Sequence, residues 1–245
     1  HQRQGHLDTV ISKHSISDIP KVKSVLKKAK LLIRVNPIYE NSEKEIKDVI
    51  SNGAEIVMLP FFSSAKEVES FIRFVDGKAL TCLLVETPSA VKNIDEILAV
   101  DGIDMIHIGL NDLHLGYGLD FMFELLTNGV VEMLCNKFQQ KGITYGFGGI
   151  AQIGQGMLPA EYIIAEHYRL GSSMAILSRS FCNPSVEIDI CKIGDTFRNG
   201  IKKIRSLESE LSKKEVFFFE KNYRIVTEKV MLIKERLANK KEGSL

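Results

Sequence analysis

The chain has 245 residues, 44% hydrophobic and 26% charged, with a formal net charge of +1. That length fits one (β/α)₈ barrel of about 250 residues, and that balance is of a globular protein with a buried core. Near-zero net charge gives no bulk field to favour nucleic acid or an anionic membrane.

The sequence opens on HQRQGH with no initiator Met. A start inside a gene product, or a processed terminus, is the expectation from this opening. Residues 15–30 are the first helix candidate, opened by Ser15-Ile16-Ser17-Asp18, a capping-box variant. LLIRV (31–35) is the first short apolar run. A helix over 42–52 leads from Ser42 to Gly53, then EIVMLP (55–60). A helix over 64–75 leads from Ser64 to near Gly77, then TCLLVE (81–86). A helix over 89–99 starts past Pro88, then DMIHIG (104–109). A helix over 120–141 stops at Gly142, then TYGFG (144–148). A helix over 159–170 leads from Pro159 to Gly171, then SMAILS (173–178).

The six short runs are nearly continuous in apolar residues, as strands buried on both faces are. Strand and helix alternate, which predicts βαβ units on a parallel sheet. No G-x-G-x-x-G follows a strand, which argues against a doubly wound dinucleotide fold. The expected fold is a (β/α)₈ TIM barrel, with the first strand or two missing from this sequence, over residues 1–184. No run approaches the ~20 apolar residues of a membrane span, and no signal peptide is visible. Cys82, Cys135, Cys182 and Cys191 have no C-x-x-C spacing, so buried free thiols and a cytoplasmic setting are expected.

Strand signals stop at about 185, and residues 192–212 and 213–240 predict two helices. In the second, Val216, Phe219, Tyr223, Val226, Val230, Ile233 and Leu237 repeat at 3-4 spacing. Such a stripe packs either on its own barrel or along a neighbouring subunit, and its regularity favours the subunit. Residues 185–245 are thus expected to form a helical extension for homo-oligomerisation, with a disordered KKEGSL tail.

Chemistry in a barrel sits at the carboxyl ends of the strands. Those ends carry Arg34-Val35-Asn36-Pro37, Pro60-Phe61-Phe62-Ser63, Glu86-Thr87-Pro88, Gly109-Leu110-Asn111-Asp112, Gly148-Gly149 and Ser178-Arg179. Glu86 follows an apolar run, and Asp112 ends the next strand. Neighbouring strands lie about 4.8 Å apart, so two such carboxylates can share one divalent cation. Oxygen-only ligation with open positions suits Mg²⁺ or Mn²⁺ rather than zinc. The plainer alternatives are a loop-starting Glu86 and an Asp112 that caps a turn. Arg34, inside an apolar strand, needs a carboxylate partner or an oxyanion to hold. His107 fits a packed histidine with one hydrogen bond, and His114 either touches the site or is exposed. The glycines at 148 and 149 fit a mouth loop, and the lysine pairs at 202–203 and 213–214 fit solvated helix faces.

The segments LLIRVNP, NGAEIVMLPFFSSAKEVESF and LLVETPSAVKNIDEILAVDGIDMIHIGLNDLHLGYG resemble the HpcH/HpaI aldolase and citrate lyase β-subunit superfamily, over roughly residues 14–178. The last segment is the most specific, because it joins a metal Glu to a metal Asp. The resemblance implies a (β/α)₈ barrel using Mg²⁺ or Mn²⁺, with Co²⁺ as an alternative, on a pyruvate-like 2-oxo acid. It implies Glu86 and Asp112 as metal ligands and Arg34 as the enolate-stabilising residue. Backbone around Gly109, Asn111 and Asp112 would bind the substrate carboxylate. The general base would be a histidine, with His14 the best-placed candidate and His6 the second. An exposed surface role is the alternative for His14.

The sequence departs from that pattern in several places. Gly109-Leu110-Asn111-Asp112 replaces Gly-Pro-x-Asp. Val75-Asp76-Gly77-Lys78 replaces a long loop before the Glu-bearing strand. The early strand carrying a Glu-His dyad is missing or altered, and the C-terminal extension is long. Three functions are consistent with all this. The leading one is a class II aldolase or lyase acting next to a 2-oxo acid, with an aldehyde as co-substrate. The second is a citrate-lyase-β-like enzyme acting on an acyl-CoA. The third is a barrel that serves only binding or assembly.

Overall fold

The computed structural model describes residues 14–183 and 186–242. Among them, six strands form one parallel sheet in consecutive order: β1 (Leu32–Arg34), β2 (Ile56–Leu59), β3 (Leu80–Val85), β4 (Met105–Ile108), β5 (Thr144–Ile150) and β6 (Met174–Leu177). Every neighbouring pair is parallel. A doubly wound sheet would reverse its strand order at a switch point, and this one never reverses. It is a curled half-barrel of six strands, consistent with an incomplete (β/α) barrel.

Continuous apolar strands are what two buried faces require. Val57, Leu59, Leu83, Val85, Ile106, Ile108 and Phe147 lie under the helices in the main core. The alternate residues Met58, Cys82 and Leu84 form a separate cluster on the inner face, as the two-residue period dictates. Burial pushes the Cys82 thiol up to about 12, which keeps it protonated and inert.

The helices on the strands follow local signals with instructive shifts. α1 (Asp18–Val25) is shorter than expected. Its opening Ser15 donates from both N–H and hydroxyl to Asp18. α2 spans Ser42–Ser51. α3 (Ala65–Val75) has the full capping box between Ser64 and Glu67. The expected 89–99 helix is broken at Asn93 into α4 (Pro88–Lys92) and α5 (Ile94–Ile97), and the Asn93 amide donates to Ser63 O. α6 (Leu110–Gly116) was not foreseen. The expected 120–141 helix starts later and is split by Gly129, at φ +85°, into α7 (Glu124–Thr127) and α8 (Val130–Gln140). α9 spans Ala160–Arg169.

The C-terminal hairpin is α10 (Ile190–Leu211) and α11 (Val216–Glu242). The helix runs through Glu242, so the tail expected to be disordered is helical as far as that residue. The heptad stripe, expected to face a neighbouring subunit, instead packs on its own barrel. Val226, Val230 and Ile233 are buried in the same core as the strands, and Leu237 packs against it. Only Val216, at the start of the stripe, is strongly exposed. The physical reason is that α7 and α9 present apolar surface that α11 covers. Each large aliphatic side chain fully buried there contributes about 1.5–3 kcal/mol. A polar cluster fixes the register: Asn222 donates to Glu166 Oε1 over 2.8 Å, Arg169 to Glu166 Oε2 over 2.6 Å, and the Arg169 guanidinium lies 4.4 Å from the Tyr223 ring centre.

Candidate active site

Glu86 directly follows β3 and is 3% exposed. A carboxylate this deep needs compensation. The backbone N–H of Phe61, just past β2, donates to Glu86 Oε1 over 3.1 Å. Phe61 sits at φ +51°, a left-handed conformation that is rare for a bulky residue. Thr87 ties the same two strand ends together, since its hydroxyl donates to Phe62 O over 2.9 Å and caps α4 by accepting from Ala90 N–H.

Asp112 lies in the first turn of α6, which follows β4 directly. Two glycines seat this helix against β3 and α4. A Cβ on Gly109 would come within 3.0 Å of Glu86 Oε2, and one on Gly116 within 2.7 Å of Pro88 Cδ. The Gly116 distance is too short for a side chain and the Gly109 distance is tight, so the two glycines let α6 approach closely. Burial is the main force that pushes the Glu86 carboxyl up to about 8, and the Asp112 charge adds to it. Arg34, at the end of β1, and the Phe61 N–H pull the other way.

Glu86, Asp112 and Arg34 are therefore electrostatically coupled at the carboxyl ends of β3, β4 and β1. A buried carboxylate that feels a second acid fits a divalent cation, which would neutralise the pair. No cluster of three or more His, Cys, Asp or Glu suited to a metal occurs among the described residues. Glu86 and Asp112 are the two acidic oxygen donors at this site, the ligand chemistry that hard divalent cations take.

The other expected site residues fall in two places. Gly109 abuts Glu86, and Asn111 is exposed in the first turn of α6, where backbone amides have no intrahelical acceptor. His14 is exposed and lines a cavity of about 640 Å³ together with Arg34 and Asn36. His6 lies outside the described residues. His107 is buried, with its Nε2 3.1 Å from Gly148 O, so it is the packed histidine expected. His114 is buried and bonded through Nδ1 to Leu110 O, a turn earlier in its own helix. Gly148 and Gly149 lie inside β5 rather than in a mouth loop.

Sequence reasoning missed the Phe61 donor. Pro60-Phe61-Phe62-Ser63 has no glycine or asparagine to flag a left-handed residue. It also gave Arg179 no role, although Arg179 lines the same cavity as Arg34 and His14.

Comparison with known proteins follows the same segments. Residues 12–121, just under half of the chain, match the family described as HpcH/HpaI aldolase/citrate lyase. The chain is 32% identical to a hydroxypyruvate/pyruvate aldolase of Roseovarius nubinhibens, over 30% of this chain and 40% of that enzyme. It thus spans about two fifths of the length of that curated relative. Among solved structures, an HpcH/HpaI aldolase from Desulfitobacterium hafniense DCB-2 superposes with a TM-score of 0.58 at 18% identity, over 79% of this chain and 80% of that one. RipC from Yersinia pestis superposes with a TM-score of 0.53 at 14% identity, over 67% and 76%. These structural likenesses bear on the fold, and they agree with a parallel sheet of barrel type. No described helix is long and apolar enough to cross a membrane.

Proposed function

Because residues 12–121 match the HpcH/HpaI aldolase/citrate lyase family, we propose that this chain is a divalent-metal-dependent lyase that makes or breaks a C–C bond beside a 2-oxo acid such as pyruvate. The observation that carries this reading is the buried Glu86 carboxyl past the end of β3, which the Asp112 charge pushes up and Arg34 pulls down. Glu86 and Asp112 would hold Mg²⁺, Mn²⁺ or Co²⁺. When bound, the cation supplies Lewis acidity to the ketone and carboxylate oxygens of the oxo acid.

The chain's own residues do the rest. The first-turn amides of α6 near Asn111 orient the substrate carboxylate. Arg34 offers a fixed guanidinium to the oxygen that becomes negative when the substrate forms its enolate. In the synthetic direction the enolate carbon bonds to an aldehyde carbon, and the aldehyde oxygen takes up a proton to become a hydroxyl. His14 would exchange that proton as general base or acid. The barrel and the C-terminal helices would act as one unit, and any homo-oligomer would use surfaces other than the buried face of α11.

The test is solvent deuterium exchange at the pyruvate methyl group with Mg²⁺, Mn²⁺ or Co²⁺ present. Metal-dependent exchange that is lost in Glu86→Gln supports the assignment. No exchange with any of the three cations removes it.

A further inference from the structure

His107 has no part in the chemistry described above, yet it lies directly beneath the candidate site. On β4 it alternates with Ile106 and Ile108, which belong to the main core, and it shares the inner face of the sheet with Met105. It pairs with Leu84 of β3. Two residues further along the two chains come Glu86 and Gly109, so close that a Cβ on Gly109 would lie 3.0 Å from Glu86 Cβ. His107 is therefore one inner-face row, about 6–7 Å, below that pair.

A buried imidazole needs a hydrogen-bond partner. Burial pushes its pKa down to about 4, so the ring is neutral at ordinary pH and carries one N–H. A carbonyl only accepts, so the 3.1 Å contact between Nε2 and Gly148 O places that N–H on Nε2. Gly148 is where β5 breaks step. It stands at φ +60°, inside the register shift between Gly146 and Gly149. A bulge releases its residue from the ladder, and His107 gives this carbonyl a donor. Leu110 packs where a side chain at 148 would be, since a Cβ there would lie 3.0 Å from Leu110 Cδ1. Leu110 is 1% exposed and opens α6, two residues before Asp112. One hydrogen bond thus links the row beneath Glu86 to the bulge on which the helix carrying Asp112 rests.

We propose that His107 is a positioning residue for Asp112: its Nε2–H holds the Gly148 bulge, and the bulge seats Leu110 and the first turn of α6. The role of Asp112 as a metal ligand rests on the reading under Proposed function, whereas the seating of α6 does not depend on it.

The experiment follows amide hydrogen exchange by mass spectrometry, and Mn²⁺ binding by electron paramagnetic resonance, in the wild type, His107→Leu and His107→Gln. Leucine removes the donor but suits the apolar inner face, and glutamine returns an amide N–H close to the place of Nε2. Exchange over residues 110–116 should rise about tenfold in His107→Leu while α3 keeps its wild-type rate. Mn²⁺ affinity should fall about tenfold, the scale set by groups that hold a metal ligand in place. His107→Gln should recover most of both. Asn222→Ala, which loosens α11 instead, should leave both at wild-type values and so separates positioning from a plain loss of stability. Unchanged exchange over 110–116, a rise shared equally by α3, or no recovery in His107→Gln would each overturn the proposal. So would equal Mn²⁺ affinity in the wild type and His107→Leu. If His107→Leu does not fold, Gly148→Ala presses a methyl group on Leu110, and the same faster exchange over 110–116 is expected, its absence overturning the proposal. A wild type that binds no Mn²⁺, with α6 loosened in His107→Leu, retains the seating by His107 and loses the metal reading. A wild type that binds Mn²⁺, with α6 undisturbed in His107→Leu, does the reverse.

Discussion

The backbone N–H of Phe61 donates to Oε1 of Glu86 over 3.1 Å, although the two residues lie 25 positions apart and follow different strands. The donor sits at φ +51°, which costs a non-glycine residue about 1–2 kcal/mol. Local strain past one strand end thus orients a buried carboxylate past the next, and the charge of Asp112 in α6 acts on it.

Metal binding is the first consequence. Glu86→Gln and Asp112→Asn should each weaken Mn²⁺ binding by about 100-fold, followed by electron paramagnetic resonance of the free ion. Both variants keep the side-chain volume, so the fold should survive. Undiminished affinity in both would remove the pair as ligands.

Gly109→Ala places a methyl group 3.0 Å from Glu86 Cβ and Oε2 and 3.2 Å from Leu84 Cδ1. We expect a loss of about 1–3 kcal/mol in stability from overpacking and weaker Mn²⁺ binding, because Glu86 or α6 must shift. A melting temperature and a metal affinity both equal to wild type would show that the site is looser than the geometry requires.

His14 is exposed, lines the cavity with Arg34 and stabilises no core. His14→Gln should leave melting and Mn²⁺ affinity unchanged while aldol turnover falls about 100-fold, the scale of general base catalysis. Turnover equal to wild type would place the base elsewhere.

His167 gives a pH dependence. It is buried, stacked on Phe147 with ring centres 3.8 Å apart, and its Nδ1 lies 2.7 Å from Ser172 Oγ. Burial lowers its pKa to about 3, with the His107 charge a smaller contribution. The unfolded chain takes up a proton near the ordinary histidine value of 6.5 while the folded chain does not. Stability from this residue is therefore complete above pH 6.5 and falls as pH drops from 6.5 toward 3, by up to about 1.4 kcal/mol per pH unit. Urea unfolding between pH 7 and pH 4 should show that slope, and His167→Phe should flatten it. Identical slopes would mean that His167 is charged in the fold.

Asn222 couples the last helix to the barrel. Its amide donates to Tyr162 O over 3.1 Å and to the fully buried Glu166. Asn222→Ala leaves Glu166 with Arg169 alone and should cost about 1–3 kcal/mol. Limited proteolysis between α10 and α11 should accelerate in proportion. An unchanged unfolding midpoint would mean that α11 contributes little to the stability of the barrel.

The strands were legible because each is a short apolar run bounded by a capping residue or a glycine. Ser64 and Glu67 marked the start of α3, and the capping box is present. The break at Asn93 was not legible, since its amide is drawn to Ser63 O, thirty residues away. α6 was missed because Leu110-Asn111-Asp112 lacks a capping side chain, and Gly109 and Gly116 make the helix possible through contacts with Glu86 and Pro88.

The sequence by itself determined a parallel α/β sheet of barrel type, acids at the ends of two successive strands, and one apolar stripe along the last helix. Periodicity and spacing are local properties, and they survive in one dimension. Only the tertiary structure decided that Asp112 raises the pKa of Glu86, that Phe61 holds Glu86, that Arg34 and Arg179 share a cavity, and that α11 covers its own barrel. Those relations depend on which surfaces meet, and a hydrophobic period specifies that a face must be covered without specifying by what.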